Sequence, residues 1–84
     1  MSYFVYILYS SKCNKYYVGQ TDSLERRIEE HNSGKGGAFS SNCIPWELMY
    51  SETFSTRSEA MKRKKEIKDK ENRKYIEWLI SSAA

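Results

Sequence analysis

Histidine occurs once in this chain, at His31, and cysteine twice, at Cys13 and Cys43, with no Cys-x-x-Cys spacing. That scarcity argues against a zinc site and against a disulfide framework, and it points to a reducing compartment such as the cytosol. Long apolar runs are missing too. No stretch approaches the ~20 consecutive apolar residues of a membrane-spanning helix, and the amino terminus lacks the basic-then-apolar layout of a signal peptide. A soluble, cytoplasmic protein with no membrane partner is expected. Internal repeats and linkers are also absent. At 84 residues the chain buries only about 60 to 65% of its unfolded surface, which leaves no room for a second domain. One domain over residues 1–84 is expected.

Tyrosine, in contrast, is plentiful and clustered. The stretch "YFVYILYSSKCNKYYVGQ" holds Tyr3, Tyr6, Tyr9, Tyr16 and Tyr17, and it closes on an isolated glycine, Gly19. Residues 3–9 form an apolar and aromatic run of strand length, Tyr16–Val18 form a second, and the polar "SSKCNK" between them reads as a turn, so a β-hairpin is predicted. A strand buried on both faces would favour Ile, Val and Phe, because each buried phenol needs a hydrogen-bond partner. Some of these hydroxyls are therefore candidates for another task. If Tyr9 pairs with Tyr16, then Tyr6 faces Gly19 and Leu8 faces Tyr17. Tyr6, Tyr17 and Gly19 then share one face, with the glycine leaving space above it. A slip of one residue would put the two phenols on opposite faces.

"TDSLERRIEEHNSG" reads as a helix, with a capping box from Asp22 and Glu25 and a left-handed terminator at Gly34. Its thin apolar stripe is Leu24 and Ile28, continued by His31. Arg27 and His31, at i and i+4, share one face and can reach a common point. Residues 35–45 read as a loop, and "WELMYSETF" reads as a third strand with Trp46, Leu48 and Tyr50 on one face. A second helix begins with a Thr56–Glu59 capping box and turns Ala60, Met61 and Ile67 inward. Lys64 falls on that inward stripe, where a lysine is out of place. A last helix, capped by Asn72, buries Tyr75, Ile76, Leu79 and Ile80. The order strand, strand, helix, strand, helix, helix gives an α+β class, loosely an α/β sandwich, with a small sheet covered by helices.

Net charge is only +3, but between Arg57 and Lys74 nine Lys/Arg stand against four Asp/Glu, while the remainder carries five against seven. Such polarity suits a polyanion on one face, and the plain alternative is a solvated helix with mixed charges. Lys62, Arg63, Lys65, Lys68, Arg73 and Lys74 are the candidate contacts to nucleic acid, together with Arg27.

"FVYIL", then "YYVGQT", then "LERRIEEH" resemble the GIY-YIG nuclease superfamily, with Phe4-Val5-Tyr6 in the first motif and Tyr17-Val18-Gly19 in the second. "HNSGKGG", "IPWEL" and "RSEA" are similar to its small stand-alone bacterial branch, which resembles the amino-terminal nuclease domain of the incision protein of the excinuclease repair system. The resemblance implies a three-stranded antiparallel sheet flanked by helices, and an endonuclease that hydrolyses phosphodiester bonds in DNA with Mg²⁺ or Mn²⁺. It implies Tyr17 or Tyr6 as the acceptor of a proton from the attacking water. Arg27 would hold the scissile phosphate through its planar, charged fork, and His31 would orient or relay. A phenol with its usual pKa near 10 needs a nearby cation to act as a base at neutral pH.

One departure falls on the metal ligand. The family's second-helix glutamate is matched here by Lys64 within "MKRKKEIK", and an ammonium cannot ligate a hard divalent cation. Glu59 and Glu66 are the remaining candidates on that helix. The natural chain is therefore expected to cleave poorly. The other readings are a non-catalytic nucleic-acid-binding module using Arg27 and the basic helix, and a protein-interaction domain on the same fold. Residue by residue, the plain alternatives are a packing Tyr6, an Arg27 paired with Glu30 and a satisfied boundary histidine at His31.

Overall fold

The computed structural model describes residues 2–34, 42–70 and 72–82. Among these run β1 (Tyr3–Ser10), β2 (Lys15–Thr21), α1 (Leu24–Asn32), β3 (Glu47–Phe54), α2 (Arg57–Lys70) and α3 (Arg73–Ser82). Residues 35–41 of the expected loop lie outside the described residues. The strands form one antiparallel sheet of order β2-β1-β3. It is the expected three-stranded sheet flanked by helices.

The hairpin takes the register that pairs Tyr9 with Tyr16, Tyr6 with Gly19 and Leu8 with Tyr17. Its turn is closed by Asn14, which sits in the left-handed region at φ 52°, a conformation asparagine tolerates better than most side chains. The Asn14 side chain accepts hydrogen bonds from the Tyr9 hydroxyl at 2.8 Å and from Arg73 at 2.7 Å. Strand alternation then sends Val5, Ile7 and Val18 to one face, where Ala60 and Ile67 of α2 and Leu79 of α3 cover them. Tyr6 and Leu8 go to the other face, against Cys43, Trp46, Leu24 and Ile28.

β3 departs from the simple alternation expected of it. Ile7 pairs with Tyr50 but Leu8 pairs with Leu48, so Met49 is an extra residue, a bulge. A bulge shifts the phase of the strand by one. Trp46 therefore packs with Tyr6 and Leu8, whereas Tyr50 packs on the Val5 and Ile7 face. They do not share a face, contrary to strict alternation.

The helix caps differ in one case. Ser23, not Asp22, caps α1, its side chain accepting from the Arg26 N–H, while Asp22 pairs with Arg26 at 2.5 Å. Ser23 is one residue nearer the first helical turn, and that puts its oxygen within reach. Thr56 caps α2 through the Glu59 N–H at 3.2 Å, and Asn72 receives the Lys74 N–H at 2.9 Å. Met61 is 54% exposed rather than inward, because the buried stripe of α2 narrows to Ala60 and Ile67.

The cysteines also depart from expectation. Cys13 and Cys43 form a disulfide with Cα atoms 5.4 Å apart. Antiparallel pairing of β3 with β1 carries the residues before Glu47 alongside the β1–β2 turn, so cysteines distant in sequence meet at one end of the sheet. Ser10 ties the same corner, its Oγ donating to the Cys43 carbonyl at 2.5 Å and accepting from the Cys13 N–H at 3.2 Å. Among the described residues no helix is long and apolar enough to cross a membrane.

Candidate active site

The phenol of Tyr6 lies across the backbone of Gly19. A methyl group built on Gly19 would overlap the Tyr6 hydroxyl and come within 2.6 Å of its Cζ and 3.1 Å of Tyr17 Cε1. Glycine is thus required at this strand position, and the space it leaves is filled by the protein's own phenol. Tyr17 stands diagonally beside Tyr6, with ring centroids 6.3 Å apart and planes 24° from parallel.

α1 brings the next two groups. His31, at 0% exposure, meets Tyr17 edge-on at 4.7 Å between centroids, and its Nε2 lies 3.4 Å from the Tyr6 hydroxyl. One turn earlier, Arg27 Nε donates to the same hydroxyl at 3.3 Å while Nη1 donates to Glu30 at 3.3 Å. Tyr6, Tyr17, Arg27 and His31 thus meet on one sheet face, as register and helical spacing indicate.

Trp46, the tryptophan of "IPWEL", forms the back of the cluster, although nothing in its spacing links it to Tyr17 or His31. Its ring lies 6.1 Å from Tyr17 and 6.2 Å from His31. Asn32 fixes it there by bonding both backbone groups, accepting from the Trp46 N–H at 2.6 Å and donating to its carbonyl at 3.1 Å. Such two-point pairing imitates a strand and explains why the segment before β3 holds a set position over α1.

Burial sets the charges of the cluster. It pushes the Tyr6 phenol up, and the hydrogen bond from Arg27 opposes this without overcoming it. The expectation that a nearby cation would make this phenol the more acidic is therefore reversed. Burial also lowers His31, with the Arg27 charge adding to the effect and Glu30 opposing it. Arg27 is held firmly protonated, above all by its bond to Tyr6. At neutral pH the cluster is a neutral phenol, a neutral imidazole and a cation. The tautomer that leaves Nε2 bare lets His31 accept the Tyr6 proton.

A pH dependence of stability follows from His31. In the unfolded chain it takes up a proton near pH 6.5, whereas in the fold it does so only at lower pH. The unfolded state thus binds more protons as the pH falls below 6.5. Stability is full above that value and is expected to decline below it, by up to about 1.4 kcal/mol per pH unit until the folded group titrates. Urea midpoints at pH 7.5 and 5.5 would show the decline, and His31→Gln should flatten it; equal midpoints in the natural chain would refute it.

The remaining candidates are dispersed. Lys64 is half-buried and lines a separate cleft of about 580 Å³ with Met61, Lys62, Lys65 and Lys68. The helix that carries it rests, through Ala60 and Ile67, on the sheet face opposite Tyr6 and Tyr17. Arg63 is turned onto Glu52, at 3.0 and 3.1 Å, and onto Glu66 at 3.4 Å. Arg73 lies over the Tyr16 ring at 5.1 Å and bonds Asn14. Lys74 is exposed on α3. Glu59 is held by the Thr56 hydroxyl at 3.0 Å. Among the described residues no three of His, Cys, Asp and Glu are grouped to hold a metal ion. Glu30, the carboxylate bonded to Arg27, is already engaged by it, so the divalent cation implied by the resemblance does not fit the residues of the cluster.

The fold and this site define a small α+β domain in which two hairpin phenols, a helix arginine and a buried histidine meet over a strand glycine. The chain belongs to the family of the GIY-YIG catalytic domain, which matches residues 2–76. It is similar to UPF0213 proteins: one from Staphylococcus haemolyticus is 46% identical over 66 residues, covering 79% of each chain, and YazA of Bacillus subtilis is 37% identical over 79 residues, covering 90% of this chain and 79% of YazA. The solution NMR structure of a UPF0213 protein from Bacillus halodurans superposes with a TM-score of 0.60 at 34% identity, over 96% of this chain and 84% of that one.

Proposed function

We propose that the Tyr6, Tyr17, Arg27 and His31 cluster is a phosphodiester site and that the protein is an endonuclease acting on DNA. Membership of a catalytic-domain family supports this reading. The observation that carries it is Arg27: a guanidinium fixed at two points by Tyr6 and Glu30, yet with 35% of its side chain exposed at the rim of the cluster. A planar cation so oriented suits a phosphate whose charge is redistributed during in-line attack. Tyr17, half-buried, is placed to orient the attacking water, whose proton passes to solvent as the new P–O bond forms, while Tyr6, bonded to Arg27 and within 3.4 Å of His31 Nε2, holds the guanidinium in position. No step runs through a metal, since the residues of the cluster do not fit one. A setting with access to nucleic acid belongs to this reading; with Cys13 and Cys43 bridged, the cysteines no longer argue for a reducing compartment.

Nicking of supercoiled plasmid, with Mg²⁺ or Mn²⁺ and with a chelator in their place, is the test. Arg27→Ala and Tyr17→Phe are each expected to reduce it about 100-fold, the usual loss when one group stabilising transition-state charge is removed. Nicking that survives both substitutions would sink the proposal. Binding without nicking would favour the second reading, a nucleic-acid-binding module, which gains weight from the missing carboxylate set among the described residues and from the upward shift of the Tyr6 phenol.

A further inference from the structure

Beside Arg27 the surface opens into a cleft of about 370 Å³ between the β2–α1 turn and the first turn of α2. Three arginines, Arg26, Arg27 and Arg57, and two carboxylates, Asp22 and Glu30, line it together with Gln20 and Thr21. Its cations differ in how they are compensated. Arg26 is neutralised by Asp22 at 2.5 Å, and Arg27 is partly neutralised by Glu30. Arg57 has no carboxylate partner among the described residues: its guanidinium lies 4.9 Å over the Tyr3 ring, and Nη1 donates to Gln20 Oε1 at 3.4 Å. Both neighbours are neutral, so they orient the fork without cancelling its charge. Gln20, with its oxygen taken by Arg57, keeps its amide N–H groups as donors.

We infer that this cleft is a second phosphate subsite, in which Arg57 and Gln20 bind the nucleic-acid phosphate that neighbours the one held by Arg27. The inference rests on the proposed function for the presence of a nucleic-acid backbone; the anion chemistry of the cleft stands on Arg57 itself. Two cations from different elements on one continuous cleft fix both the position and the direction of the strand. A single clamp at Arg27 would leave it free to pivot.

Two measurements test it on the natural chain and on Arg57→Ala. Fluorescence anisotropy of a labelled duplex oligonucleotide across a salt series should show Arg57→Ala binding about tenfold more weakly, as for loss of a hydrogen-bonded charged contact. The slope of log K against log salt should also fall by about 0.9, the release of one phosphate contact. Arg57→Lys should keep the slope and recover only part of the affinity. In parallel, titration of inorganic phosphate followed by NMR should move the Arg57 Nε–H and Gln20 amide resonances saturably. Unchanged affinity and slope in Arg57→Ala would overturn the subsite, whether or not the natural chain nicks DNA. Saturable phosphate shifts in a chain that binds no oligonucleotide would instead overturn the nucleic-acid reading and support an anion site for free phosphate. Failure of both measurements would overturn both.

Discussion

Reduction of the Cys13–Cys43 bridge, or its replacement in a Cys13→Ser/Cys43→Ser variant, is expected to cost about 3 to 4 kcal/mol of folding stability. The two cysteines are 30 residues apart, and closing a loop of that length removes a corresponding amount of entropy from the unfolded chain. A domain this small has a total stability of only about 5 kcal/mol or somewhat more, so the reduced form should be marginal. The effect should also reach the cluster. Trp46 follows Cys43 by three residues and packs on Tyr17 and His31, so loosening the bridge frees the wall against which those rings rest. Denaturant unfolding with and without a dithiol reductant, followed by Trp fluorescence, measures it. A midpoint that does not move on reduction would show that the Ser10 and Asn32 hydrogen bonds alone hold this corner.

Gly19→Ala is expected to be strongly damaging. Its Cβ would fall on the Tyr6 hydroxyl and within 2.6 Å of Cζ, and Tyr6 is 1% exposed with no open side to retreat into. Overpacking of this kind costs roughly 1 to 3 kcal/mol. The displaced phenol would also lose its bonds to Arg27 and His31, so activity should fall further than stability. Adding Tyr6→Leu should recover part of the lost stability but none of the activity, because the smaller side chain makes room while the hydroxyl is gone. If Gly19→Ala and Tyr6→Leu were additive in stability, the two positions would not be in contact.

Much of the site is legible in the sequence because it depends on local periodicities. In the register that pairs Tyr9 with Tyr16, which the structure takes, two-residue alternation puts Tyr6 over Gly19 with Tyr17 beside it. Helical spacing puts Arg27 and His31 on one face. What failed had non-local causes. Alternation places Trp46 and Tyr50 together, but a bulge at Met49 parts them, and bulges leave little trace in one sequence. The basic segment is continuous along the chain, yet the fold divides it: Lys62, Lys65 and Lys68 share a cleft, Arg63 is bound to Glu52 of β3, and Arg57 joins the cleft of Arg27. Spacing on one helix cannot say which carboxylate on another element claims an arginine.

By itself the sequence determined the α+β class, the element order and which residues share a face within one element, Arg27 with His31 on α1 and Tyr6 with Tyr17 once Tyr9 pairs with Tyr16; the resemblance to the GIY-YIG family singled these four out as a site. Only the tertiary structure decided the rest. Packing of β3 against β1 joined Cys13 to Cys43 and brought Trp46 behind the phenols, and burial reversed the expected acidity of Tyr6. It also put α2 on the opposite sheet face, with Lys64 in a cleft of its own. These outcomes depend on which distant segments share space and on how much water remains between them, and neither is encoded in the spacing of residues along the chain.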